Sequence, residues 1–180
     1  MRKILYLFFV AVLFMHCSSN KLTREKAAEI IKNNYPELVD WDIFCGDPEF
    51  AKKVLDTDLE KDGYVTIKRT HTFNELSEPW INFAEKAKPY FLTTPPGDKE
   101  HQIQKVKVAD IQFGEITGMK MLANDKKAIV EYKIEYKNLT PFAILAKIDD
   151  KKPVTRTAYF SLYDDGWRQE KKPDIDFLVP

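Results

Sequence analysis

Asp58, Glu60, Asp62 and Gly63 follow one another at the spacing of the first half of a calcium-binding loop, with apolar Val65 two residues on. Such a loop takes oxygen ligands at its first, third and fifth positions, a glycine at the sixth and a bidentate glutamate at the twelfth. The twelfth position here is Arg69, beside Lys68. A cation there repels calcium and supplies no oxygen, so the segment reads as a solvated helix end and turn. Carboxylates also pair at Asp47/Glu49, Asp149/Asp150 and Asp164/Asp165. General acid work needs an apolar pocket that raises a pKa, which a helix cap and two turns do not offer. His71 and His101 lack the spacing of a metal pair or of a nucleophile's partner. The six glycines form no phosphate-binding loop. No catalytic residue, metal site or cofactor is expected. Phe44, Trp80, Tyr90 and Phe91 are candidates of another kind. They either fill the core, where each ring buries about 150–250 Å², or line a groove for a peptide, glycan or lipid.

The elements that must position these residues are legible from periodicity. The clearest break is Thr93-Thr94-Pro95-Pro96-Gly97-Asp98, and residues 93–102 read as a linker between a first lobe at 22–92 and a second at 103–172, with a tail at 173–180. Thr23 is a helix cap, Leu22 and Ala27 sit at staple positions, and Ile30 and Ile31 continue helical spacing until Tyr35-Pro36. Asp47-Pro48 opens a second helix, with Phe50, Ala51, Val54, Leu55 and Leu59 on one stripe and Gly63 as its stop. Tyr64 to Phe73 alternates as a strand and carries His71 on the face of Val65 and Ile67. Trp80 to Phe83 reads as its return, and Glu85 to Leu92 as a short helical turn.

The second lobe is strand-rich. Val106 and Val108 alternate, then Ile111 and Phe113 resume on the other parity, which calls for a bulge near Ala109-Asp110. Ala128, Val130, Tyr132, Ile134 and Tyr136 oppose Glu131, Lys133, Glu135 and Lys137 in the best strand of the chain. Val154 to Tyr163 alternates too, with Ala158, Phe160 and Leu162 inward, and Asp164-Asp165-Gly166 is a hairpin signal before Trp167. The expected architecture is α+β: a small helical lobe followed by a curved antiparallel meander.

Residues 1–20 read MRKILYLFFVAVLFMHCSSN. Arg2 and Lys3 precede an uncharged run that is too short for a spanning helix of about 20 residues and fits the apolar stretch of an export signal. Leu13-Phe14-Met15-His16-Cys17, followed by Ser18, Ser19 and Asn20, resembles the processing site of bacterial lipoproteins, departing from it at His16, where Gly, Ala or Ser is usual. The resemblance implies removal of residues 1–16, acylation of Cys17, and a short tether at 17–21. A cut after Ser19 is the alternative, and an uncleaved anchor is another. A multiply acylated cysteine would hold stably at about 0.8 kcal/mol per buried CH₂. The implied location is the cell envelope, on either membrane, facing the periplasm or the exterior. Cys45, beside Phe44, is expected to be buried, since unpaired cysteine behaves as a small hydrophobe.

Two further resemblances concern shape. Residues 47–92, with Gly63-Tyr64-Val65-Thr66-Ile67, the return strand and Ala84-Glu85-Lys86-Ala87-Lys88, resemble the wing of winged-helix domains. Glu115-Ile116-Thr117-Gly118, Thr140-Pro141-Phe142 and Tyr163-Asp164-Asp165-Gly166-Trp167 resemble stretches of uncharacterised bacterial lipoproteins. They also look like the curved sheets of the cystatin-like and nuclear-transport-factor-like groups. Such likeness carries fold rather than function. With 28 basic and 28 acidic residues, the chain lacks the field of a nucleic-acid binder. The expected role is non-enzymatic binding or assembly beside a membrane, with an unidentified envelope partner. The alternative is a small-molecule binder or enzyme on the concave face of the sheet, where Tyr132 and Tyr136 are the polar groups among the inward positions.

Overall fold

The computed structural model describes residues 21–122 and 125–178; the signal, Cys17 and most of the tether lie outside the described residues. A five-stranded antiparallel sheet has the order β1-β4-β5-β6-β7, and a separate hairpin joins β2 to β3. The spine of the sheet is the pair β4 (Ile103–Leu122) and β5 (Lys127–Lys137). β5 buries Ala128, Val130, Tyr132 and Ile134 and exposes Glu131, Glu135 and Lys137, as its alternation requires. β6 (Val154–Tyr163) and β7 (Gly166–Glu170) follow, joined at Asp164-Asp165, with Gly166 at φ +122°, a conformation that favours glycine. The α+β architecture with a curved meander is present.

One strand was not anticipated. β1 (Glu37–Phe44) lies between the two helices α1 (Arg24–Lys32) and α2 (Pro48–Leu55) and pairs along the first half of β4. Val39, Trp41 and Ile43 share its inner face, while Asp40 and Asp42 face outward onto Lys105, at 2.6 and 2.8 Å. Apolar Leu38 and Phe44 on the outward parity mask this alternation in the sequence. The main sheet therefore draws strands from both sides of residues 93–102, where a short helix α3 (Pro96–Glu100) turns the chain. Two smaller corrections follow. α2 ends at Leu55, with turns carrying the chain to Gly63, and β2 (Val65–Ile67) stops before His71. Its partner β3 (Ile81–Phe83) completes the wing-like hairpin.

β4 breaks register three times. Val39 faces Ala109 while Asp40 faces Lys107, so Val108 is an extra residue. Further shifts fall between Phe113 and Ile116 and between Ile116 and Gly118. A bulge keeps apolar residues on one face when their sequence parity changes, which is why Val106, Val108, Ala109 and Ile111 are all buried. Each bulge also sharpens the twist, and the sheet curls into a half-barrel.

The inner face of that curl carries the core in two contiguous parts. α1, capped by Thr23 Oγ1 accepting from the Lys26 amide, lays Ala27 and Ile31 over Ile111, Val130, Ile134 and Phe160. The other part joins Ala51 and Val54 of α2 to Ile43, Val106, Val108 and the β2–β3 hairpin. Phe142, just before α4 (Ala143–Ala146), is its centre, with the rings of Tyr64, Phe83 and Tyr90 about it at 6.0–6.1 Å. Such edge-on pairs add about 0.5–1.5 kcal/mol each beyond area burial. On the outer face, Lys127 holds Asp174 and Asp176 at 2.7 and 2.6 Å, and Phe177 of α5 (Ile175–Leu178) packs on Tyr159.

The two glycines at the later register breaks differ in what a side chain would meet. A Cβ on Gly114 lies 3.1 Å from the Lys133 carbonyl oxygen, a fixed ladder atom, whereas one on Gly118 meets the mobile end of Glu131. Gly114→Ala is expected to cost about 1–3 kcal/mol in urea denaturation. Gly118→Ala should stay within about 0.5 kcal/mol of the parent.

Candidate functional site

Where α1 ends, Asn33 caps it and the chain turns through Asn34 and Tyr35 into Glu37, the first residue of β1. This turn sits against the inner face of β5, β6 and β7 and leaves a cleft of about 610 Å³ between them. Tyr132 on β5 and Arg156 on β6 are directly opposed, so both side chains rise from the same face into the cleft. The Tyr35 and Tyr132 hydroxyls lie 3.1 Å apart. Arg156 donates from Nη1 to the Tyr35 hydroxyl at 3.3 Å and to Glu37 Oε2 at 2.5 Å, and from Nη2 to Glu37 Oε1 at 3.5 Å. The Asn34 amide donates to Gln169 Oε1 at 3.2 Å, tying the turn to β7. Phe113 stacks on Tyr132 with centroids 5.9 Å apart and fixes that ring from behind.

The electrostatics hold Tyr132 and Arg156 in single protonation states. Burial, then the bond to Tyr35, pushes the Tyr132 phenol well above the usual tyrosine range. The Glu37 carboxylate, beside it, holds the Arg156 guanidinium still more firmly cationic. Neither group moves a proton near neutral pH, so the pair orients and donates. The accounting of protons is uneven. Two phenols share one bond and Tyr35 also accepts from Arg156, so one phenolic O–H has no acceptor among the described residues. That O–H faces the cleft and can donate to an oxygen placed there.

Three of the four aromatic candidates singled out from sequence serve one core cluster. Phe44 is on the outer face against Phe50, Trp80 stacks on His71 at 3.9 Å, and Phe91 meets Phe83 at 4.9 Å. Tyr90 joins the rings about Phe142. Trp80, Tyr90 and Phe91 thus all pack against one core cluster, while Phe44 lies outside it, against Phe50. In the calcium-like loop, Arg69 itself occupies the Glu60 carboxylate at 2.6 Å, and the other oxygen of Glu60 accepts from the Ile67 amide. Among the described residues, no group of three His, Cys, Asp or Glu side chains is placed to hold a metal, and no helix is long and apolar enough to cross a membrane. Of the cleft residues only Tyr132 was flagged. Arg156 carried a signal that went unread: it falls on the inward parity of β6, among Val154, Ala158 and Phe160.

Cleft and curl together define an α+β half-barrel with a polar notch in its inner face. No protein-family model, no curated protein and no solved structure matches the chain.

Cys45 is buried, its Sγ donating to the Ile43 carbonyl at 3.6 Å, and desolvation raises its thiol from 9.0 to about 11. In a Cys17→Ser background it is expected to react with an aromatic disulfide reagent at pH 8 only once urea unfolds the chain. Between pH 9 and 11 the unfolded thiol ionises and the folded one does not, so stability conferred by the neutral thiol is lost as pH rises. Denaturation of the parent against Cys45→Ala across that window measures the loss.

Proposed function

We propose that this chain is a non-enzymatic binding protein of the bacterial cell envelope, tethered through Cys17, with the cleft between α1 and β7 as its ligand site. The observation that carries the binding reading is the convergence of Tyr35, Tyr132, Arg156 and Glu37 on one cavity of about 610 Å³. Ligand sites are concave, of about 300–1,000 Å³, with a few convergent polar groups on an otherwise packed scaffold. The protonated phenol and guanidinium, both able to donate at neutral pH, support the binding reading. The tether rests on the segment Leu13-Phe14-Met15-His16-Cys17 with its preceding apolar run. Lys21, the first described residue, pairs with Asp125 at the β4–β5 turn, so a lipid at Cys17 would hang the domain from that end.

Two measurements test this. Cells fed labelled palmitate are expected to label the parent and not Cys17→Ala, with the variant leaving the membrane fraction. Labelling that survives the substitution contradicts the tether. For the cleft, a library of small polar fragments screened by two-dimensional NMR should move the amides of Tyr35, Tyr132, Arg156 and Gln169 as a group. A screen in which every hit maps elsewhere removes the cleft as the ligand site.

A further inference from the structure

The chemistry of the cleft wall goes further than its being a cavity. Its charges are spent on neighbours. Arg156 is forked onto Glu37, Arg168 is paired with Asp165, and Glu170 accepts from the Tyr163 hydroxyl. Lys171 contributes a cation only at the exposed rim. A charged ligand entering the interior would have to break the Arg156–Glu37 fork to find a counter-ion.

Hydrogen-bonding capacity, by contrast, is left over. One phenolic O–H of the Tyr35–Tyr132 pair is unmatched among the described residues. The described bonds of Arg156 use three of its five N–H groups. Glu37 and Gln169 present acceptor oxygens on the same wall. The wall therefore combines spare donors and acceptors, with both of its arginines already paired to carboxylates. Amides and hydroxyls both donate and accept without charge, and a hydroxyl does so from a single oxygen, which suits donors and acceptors crowded on one wall. Trp167 and Ile30 supply the apolar part of the lining, against which the C–H face of a ring can lie.

We infer, on the reading of this cleft as the ligand site, that it takes a neutral saccharide of mono- or disaccharide size. The Tyr35–Tyr132 pair and Arg156 would donate to its hydroxyl oxygens, Glu37 would accept from its hydroxyl hydrogens, and Trp167 would flank a ring.

The test is a titration of the folded, isotope-labelled protein with maltose and with diacetylchitobiose, set against sodium glucuronate and a blocked neutral tripeptide. At least one of the two neutral sugars is expected to shift the amides of Tyr35, Tyr132, Arg156 and Trp167 in a saturable way. Binding should weaken about tenfold in Arg156→Met and in Tyr132→Phe, each removing one or more donors. Tyr35→Phe, at a less buried ring, provides the same loss with less risk to folding. If glucuronate or the tripeptide saturates the cleft and neither sugar does, the saccharide assignment is overturned while the cleft remains a ligand site. If no probe moves these amides, both fall. Sugar binding that is unchanged in all three variants also overturns the assignment, since the contacts would then lie elsewhere.

Discussion

Glu37 opens β1 and Arg156 lies on β6, with β4 and β5 between them in the sheet, yet their charged atoms meet at 2.5 Å. In a flat sheet three strand spacings would hold their backbones about 14 Å apart, with side chains rising parallel rather than converging. The ion pair is thus a chord across a curve, and it exists because β4 bends. The three register breaks of β4 supply that bend, and the first of them also lets an apolar face continue through a change of parity. Without it, Ile111 and Phe113 would leave the core that Val106 and Val108 begin. Curl, core continuity and the meeting of Glu37 with Arg156 are one geometric condition.

That condition sets what the inner face can hold. Along most of β5 the curl brings α1 down onto Val130, Ile134 and Phe160, and the space closes with apolar side chains. At the end of α1 the helix stops, and the turn through Asn34 and Tyr35 cannot fill the remaining width. A polar face is tolerated there because its groups satisfy one another: phenol to phenol, guanidinium to carboxylate, amide to amide. The helix cap at Asn33 therefore decides where packing ends and where the notch begins. The outer face is built differently, from half-buried lysine clamps such as Lys105 shared between Asp40 and Asp42.

The strands of the second half were readable because each obeys a single rule. β5 and β6 alternate cleanly, and the β6–β7 turn announces itself with Asp-Gly. The bulge near Ala109 was legible as a parity change. β1 was not, because Leu38 and Phe44 place apolar side chains on its solvent side and blur the period. The cleft was mostly invisible for a related reason. Tyr35 and Glu37 come from a turn and a strand end, and only the curl brings them to Tyr132 and Arg156. Arg156 was the one available clue, a charge standing where its strand demands an apolar residue. Of the aromatics at Phe44, Trp80, Tyr90 and Phe91, the last three pack against one core cluster and Phe44 sits on the outer face against Phe50, the rings serving as filler between small elements.

Among the described residues, β1 and β7 are the border strands of the half-barrel. What stitches the inner margin near them is side chains, Arg156 to Glu37 and Asn34 to Gln169, rather than a backbone ladder. Side-chain stitches part more easily than rows of amide bonds, so local opening concentrates along that seam. The long hairpin of β4 and β5, by contrast, is held by a continuous backbone ladder, so the cavity borders the less tightly stitched side of the sheet.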